Sequence, residues 1–515
     1  MRLFPLTRAS SFLLLGLVGA HKSHTSHARA QGGSRGILAS PAMSIVRHRG
    51  LCVRGGCTSV GHEQLSATLG KQGLEEEKGA AQEDEPVVQS TPALRVAETV
   101  QGGYFGKFIS HVFHIEAKEL QKFFTMSAMM FCIIYVFTMT RDTKDTLIVT
   151  NCGAESIAFL KVYGVVPAAA LFMIGYNFLS NHVSSHALFC LTLVPFFIFY
   201  TIFGFVLYPM RDRLHHPGGP VSRSENRLSY LINLERHWTF SLYYIVSELW
   251  GSAGIPLLFW TMANQITPIA QAKRFYPLFG LLGNLAPIAS GQTMIAVRNY
   301  IKKRGGLTAE GAFEGSIRIL TGFMCGAGVI ILGLYEMLQR MHRKEVQLLG
   351  DAAKGKGKKK PKPKAKMSFK ESSKLLLKSH YLGFMAVMVL SYGLCMEFTE
   401  IIWKSIVKLK YPDKSDYMAF MGEYSKIVGA STFGMLLFGN KLIKYLGWEF
   451  GALMTPVMMA IMSAPFFGYL TVGDVTLSEK ALGIAVLIGT VQNILSKATK
   501  YALFDPCKEM AYIPL

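Results

Sequence analysis

The sequence predicts an all-α, polytopic membrane protein arranged as a bundle of two six-helix halves, with about ten spans present and the second half truncated. Three observations predict it. Half of the 515 residues are hydrophobic and only 17% are charged, and the mean hydropathy is positive. The apolar residues gather into runs of about 20, long enough to cross about 30 Å of hydrocarbon. A lysine-rich stretch divides those runs into six and four.

Taken in order, the chain opens with Arg2 and Arg8 before a short apolar run, Phe12 to Val18, and the small residues Gly19 and Ala20. That is the layout of a secretory signal peptide over residues 1–20, too short to span a membrane. Residues 21–70 are rich in Ser, Gly, His and Arg with a single acid, Glu63, a composition that suits a transit peptide. Together they resemble the two-part targeting sequence of plastids acquired from an engulfed alga. His21, His24 and His27 belong to this leader and are not read as a metal site. Acidic residues from Glu75 to Glu85 and Pro86 complete the segment 21–104 as a polar linker.

Ten candidate spans follow, at about 123–140, 157–180, 187–208, 239–266, 274–297, 318–337, 381–402, 419–438, 450–472 and 480–499. They divide into an N-terminal half, 105–345, and a C-terminal half, 379–515. The segment between them, 346–378, contains KGKGKKKPKPKAK, with eight lysines and no acid, so it cannot pack and should be solvated. Such a loop beside a membrane can meet anionic lipid, although an orienting linker is the plainer reading. Six spans, a charged loop and further spans is the layout of two-half secondary transporters.

The net charge of +21 raises the question of nucleic acid as a partner. The basic residues lie in tails, loops and helix ends, where membrane proteins keep them, and nucleic acid is not expected. The eight cysteines are scattered without CxxC or Cys/His ligand spacing and read as small buried hydrophobes. No metal and no cofactor is expected. No GxxxxGK[ST], HExxH or nucleophile elbow occurs, so the chain is not read as an enzyme and its work must draw on gradients.

Charges inside spans carry the functional signal. A charge near the bilayer centre costs about 2.5 kcal/mol or more on insertion scales, so one that persists usually faces a watery path. The first span ends in TRDTKDT, where Arg141 and Asp145 are spaced to pair at i,i+4 and Lys144 lacks an acid at helical-neighbour positions. Glu248 stands in SELWGS of the fourth span, again without a local counter-ion. The seventh carries Glu397 and Glu400 on one face, with Lys404 a turn beyond. The tenth ends with Lys497 and Lys500 on one face, then Asp505 and Lys508. These clusters fall on the first, fourth, seventh and tenth spans, which line the central cavity in a major-facilitator-like arrangement. Several cations there suit a polyanion, since Lys acts as a compact charge on phosphate. The acids imply balancing pairs, a proton site or gates. Tyr243, Tyr244, Trp250, Trp260, Trp403, Tyr501 and Phe504 can stack a base, or belong to the membrane interface.

Four segments support a family resemblance: TRDTKDTLIVTNCGAESIAFLKVYGVVPAA, QAKRFYPLFGLLGNLAPIASGQ, FTEIIWKS and SKATKYALFDPCKEMAYIPL. From about residue 110 onward they resemble the ATP/ADP translocase family of plastids, diatoms and intracellular bacteria such as rickettsiae and chlamydiae. They do not resemble the mitochondrial carrier, a threefold repeat. The resemblance implies twelve helices, alternating access, and exchange of ATP for ADP with phosphate, some members taking a broader set of nucleotides. It also implies required charges at Lys144, Glu248 and Glu400, and a further lysine at Lys508 or beyond Leu515.

The expected function is therefore ATP/ADP exchange across a plastid (chloroplast) envelope. Lys144, Lys497 and Lys500 face phosphate in this reading, while Glu248 and Glu400 pair or gate. Arg141, Asp145, Glu397, Lys404 and Lys508 are secondary candidates. An empty cationic cavity would resist closure and so enforce exchange. The rival readings are a proton-coupled importer of mixed nucleoside triphosphates and a non-transporting membrane scaffold.

Overall fold

The computed structural model describes residues 119–216, 228–306, 308–353, 379–473 and 478–511. The expected leader, 1–104, and the lysine run 354–366 lie outside the described residues, among which all regular structure is helical.

Helix α1 spans Leu120–Cys152. Its apolar run has no polar stripe, and Met126, Met129, Ile133, Val136 and Met139 are all fully buried. It stops at Gly153, whose φ of 96° suits glycine and whose N–H donates back to the Ile148 carbonyl at 3.2 Å. Then come α2 (Ser156–His182), α3 (Ser185–Leu207) and α4 (Trp238–Ile266). Each contains a π-helical turn, at Lys161–Val165, Phe203–Leu207 and Gly254–Phe259 respectively. The Ser184 hydroxyl caps α3 by accepting from the Ala187 N–H. Next are α5 (Ile269–Gly283), α6 (Leu285–Arg304) and α7 (Ala309–Ala353).

After the lysine-rich segment come α8 (His380–Lys410), α9 (Lys414–Leu446), α10 (Trp448–Val472) and α11 (Glu479–Thr499). A π-helical turn, Lys500–Phe504, carries α11 into Asp505–Ala511. The Asp413 carboxylate caps α9 by accepting from the N–H groups of Ser415 and Asp416, satisfying donors the helix cannot.

Among the described residues eight helices are long and apolar enough to cross a membrane: α1, α2, α3, α4, α7, α8, α10 and α11. Two of the ten expected spans are not among these eight. The expected fifth span, 274–297, breaks at Asn284 between α5 and α6, and the expected eighth, 419–438, lies within α9. Both α6 and α9 are long enough but carry too many polar groups, among them Ser290, Thr293 and Arg298 on α6 and Asp416, Glu423 and Lys426 on α9. The reason is their location. They form the most extensive helix–helix contact among the described residues, and both also pack against α1 and α7. Their crossing is backbone-close: a Cβ added at Gly291 would lie 2.1 Å from the Gly422 carbonyl oxygen.

Most of the aromatics singled out above lie in the core. Tyr243, Tyr244, Trp250, Trp403 and Phe504 are buried. The Trp250 ring meets Phe196 and Phe197 edge-on, and the Trp403 indole N–H donates to Thr490 Oγ1 at 3.1 Å. Trp260 is half-buried against Phe259 and Tyr276, which leaves Tyr501 as the accessible ring of the set. Cys152 and Cys507 are buried as expected, but Cys395 is exposed on a span.

Candidate functional site

The first, fourth, seventh and tenth expected spans are α1, α4, α8 and α11, and their charges meet. Six side chains form one alternating row: Glu248, Lys144, Asp145, Lys404, Glu400, Lys497. Lys144 Nζ lies 2.9 Å from Glu248 on α4 and 2.9 Å from its own neighbour Asp145. The other Asp145 oxygen takes Lys404 of α8 at 2.7 Å. Lys404 also holds Glu400 at 2.8 Å, and the second Glu400 oxygen receives Lys497 of α11 at 3.0 Å. Three cations alternate with three anions, so the row is neutral.

Burial explains why the row must be complete. Lys144, Asp145, Lys404 and Lys497 are each under a tenth exposed, and a buried charge without a partner costs several kcal/mol. Aromatic faces add to the solvation of the lysines: Lys144 Nζ sits 3.9 Å from the Tyr244 ring centroid and Lys497 Nζ 5.3 Å from that of Tyr424.

Two expectations are corrected here. Arg141 does not pair with Asp145. Its guanidinium donates to Asp142 at 3.0 Å and to Ser425 Oγ of α9 at 2.8 Å, and Ser425 Oγ donates to Asp142 at 2.5 Å. Asp145 is drawn instead to two buried ammonium groups, one of them from a helix that local spacing cannot see. Nor does Lys144 lack a nearby acid, because the residue directly after it serves.

Lys500 does not join Lys497. Its ammonium lies 3.6 Å from Asp505, at the far end of the π-helical turn Lys500–Phe504, and Lys508 also approaches Asp505 at 3.4 Å. The cavity expected to be cationic when empty is not: each buried lysine of the row already has its carboxylate.

Sequence reasoning missed Lys161, Asp142 and Ser425. Lys161, on α2, places its ammonium 2.6 Å from Glu397 of α8 and 4.0 Å from Glu248. A lysine inside an apolar run was the available signal. Near the same end of the bundle, where α8 finishes and α9 begins, Ser405 donates to Glu155 at 3.0 Å, Lys414 holds Glu310 at 2.6 Å, and Arg298 pairs with Asp416. All of these contacts except Lys161–Glu248 join residues before the lysine-rich segment to helices after it.

A multi-spanning helical membrane protein, with a buried ion-pair row tying its N-terminal to its C-terminal helices, is the class these features define. The family model described as TLC ATP/ADP transporter matches residues 99–515, and the chain belongs to that family. Among relatives, it is 41% identical over 430 residues to ADP,ATP carrier protein 1 of Chlamydia trachomatis, covering 80% of this chain and 79% of the relative. It is 39% identical over 419 residues to the chloroplastic ADP,ATP carrier protein 1 of Arabidopsis thaliana, covering 78% and 65%. ADP,ATP carrier protein 3 of Rickettsia typhi is 34% identical over 428 residues, with 80% and 84% covered. The E. coli xylose transporter XylE, in a partially occluded inward-open conformation, aligns at 14% identity with a TM-score of 0.42 over 76% of this chain and 84% of that one. That likeness is too loose to inform the site.

Proposed function

We propose that the protein exchanges ATP for ADP, with phosphate, across a plastid-type envelope membrane by alternating access. The observation that carries this reading is the buried Lys404–Asp145 pair, with Lys144 and Glu248 beside it. A polyphosphate entering here competes with carboxylates for ammonium groups, and Lys is a compact phosphate partner. When phosphate takes Lys144 and Lys404, the bond between α1 and α8 is released and the two helix sets can rock apart. Without substrate the pair holds, and the empty carrier stays put. Exchange therefore follows from a lock that nucleotide opens, and not from repulsion among bare cations. Glu248, Asp145 and Glu400 act as internal stand-ins for phosphate, each holding a lysine ready.

The relatives named ADP,ATP carriers from plastids and from intracellular bacteria support the substrate. The chloroplastic names and the two-part leader composition support the plastid location, which import of a reporter fused to residues 1–104 would test. The test of exchange is uptake of labelled ATP by proteoliposomes holding the full-length protein, preloaded with ADP, with buffer or with other nucleotides. Strong stimulation by internal ADP, lost in Lys144→Ala, is expected. Equal uptake into empty vesicles that follows an imposed pH gradient would replace exchange by proton-coupled import of mixed triphosphates.

A further inference from the structure

Lys161, outside the buried row, combines three features. It opens the π-helical turn Lys161–Val165 of α2, a distortion that recurs at functional sites. Its neighbours at helical spacing, Ile157, Ala158, Gly164 and Val165, offer no acid. Its ammonium reaches two carboxylates on opposite sides of the lysine-rich segment, Glu397 of α8 at 2.6 Å and Glu248 of α4 at 4.0 Å.

Exposure separates this contact from the row. The Lys161 and Glu397 side chains are 30% and 46% accessible, against 6% and 2% for Lys404 and Asp145. A pair that protein covers only partly has room to exchange partners, whereas a fully packed one cannot break without a replacement. Lys161 is thus the cation of this cluster free to change partners at small cost, and the second partner is already within reach.

We infer that Lys161 is a positioning residue that couples phosphate binding to separation of α2 from α8, by passing from Glu397 to Glu248. Granted the exchange proposed above, the sequence of contacts is as follows. Substrate phosphate draws Lys144 from Glu248. The carboxylate left behind, half-buried and short of a partner, takes Lys161. Glu397 loses its counter-ion, and the link between α2 and α8 opens. In the empty carrier Lys144 keeps Glu248 satisfied, Lys161 stays on Glu397, and the link remains closed. One lysine thereby reports occupancy of the row to the seam.

The readout is the ratio of labelled ATP uptake into ADP-loaded vesicles to uptake into empty ones, measured on the full-length protein with its half-saturating ATP concentration. Lys161→Gln is expected to lower that ratio about tenfold, within the usual range of coupling energies, mainly by raising uptake into empty vesicles. The half-saturating concentration should hardly move, and Lys161→Arg should keep the ratio. Glu397→Gln removes the same link from the other side and should lower the ratio likewise, which carries the test should Lys161→Gln not fold. A wild-type ratio in Glu397→Gln would overturn the inference, as would a Lys161→Gln protein whose ATP affinity falls while its ratio stays. The second result would make Lys161 a direct phosphate ligand. A wild-type protein without ADP stimulation would strike the exchange reading itself, a distinct failure seen before any variant is made.

Discussion

Two seams join the helices before the lysine-rich segment to those after it, and they are built differently. Along α6 and α9 the helices meet backbone to backbone, with Gly291 against Gly422 and Gly429 against the Asn284 carbonyl. Between α2 and α8 the connection runs through side chains: the half-exposed Lys161–Glu397 pair, and Ser405 with Glu155 at the end. Close backbone packing resists separation because each contact is short-ranged and shape-specific. An ion pair that protein covers only partly exchanges partners more readily than a packed one. The first seam suits a pivot and the second a latch, with the buried row between them as the lock.

The comparison breaks most visibly at the row. Lys404→Ala leaves Asp145 and Glu400 short of a buried partner and should cost about 3–5 kcal/mol, seen as loss of monodisperse protein and of ATP uptake. Asp145→Asn combined with Lys404→Met should recover part of the folded yield without recovering exchange. Recovery of exchange as well would show the pair to be structural only.

The pivot comes next. Gly291→Ala drives a methyl into the Gly422 carbonyl and should cost about 1–3 kcal/mol by overpacking, measured as a lower thermal unfolding temperature in detergent. An unchanged temperature would mean that the crossing yields easily and is no pivot.

At the latch, Lys161→Gln should change stability by less than about 1 kcal/mol while altering coupling, so that stability and function part company there. The smallest effect is expected at the rim. Arg298→Gln removes a partly buried partner of Asp416 and should shift stability by about 0.2–1 kcal/mol, a shift that fades further in high salt.

The places where local reading and structure diverge follow one pattern. The apolar spans were legible because a run of about 20 residues is a local signal. The runs that read less clearly were those of α6 and α9, which carry more polar residues and pack most extensively against each other. The charged positions were legible for a similar reason: Lys144, Glu248, Glu400, Lys404 and Lys497 each look out of place in their own helix. Arg141 and Asp145 were mispaired because i,i+4 spacing weighs only one helix, while the ammonium of Lys404 arrives from another. Lys500 was misplaced because the π-helical turn that follows it re-aims Asp505, its partner, by adding a residue to the helical turn.

By itself the sequence determined that this is a membrane-spanning helical protein, where its spans lie, and which charges are too costly to be there without purpose. Each of those follows from the free energy of moving one residue, or one run of residues, from water into hydrocarbon. The partners of those charges were decided by the tertiary structure alone, as were the neutrality of the row, the polar helices of the pivot and the reach of Lys161 to two carboxylates. Pairing energy depends on which helices meet and how deeply they bury what they carry, and no local pattern records that.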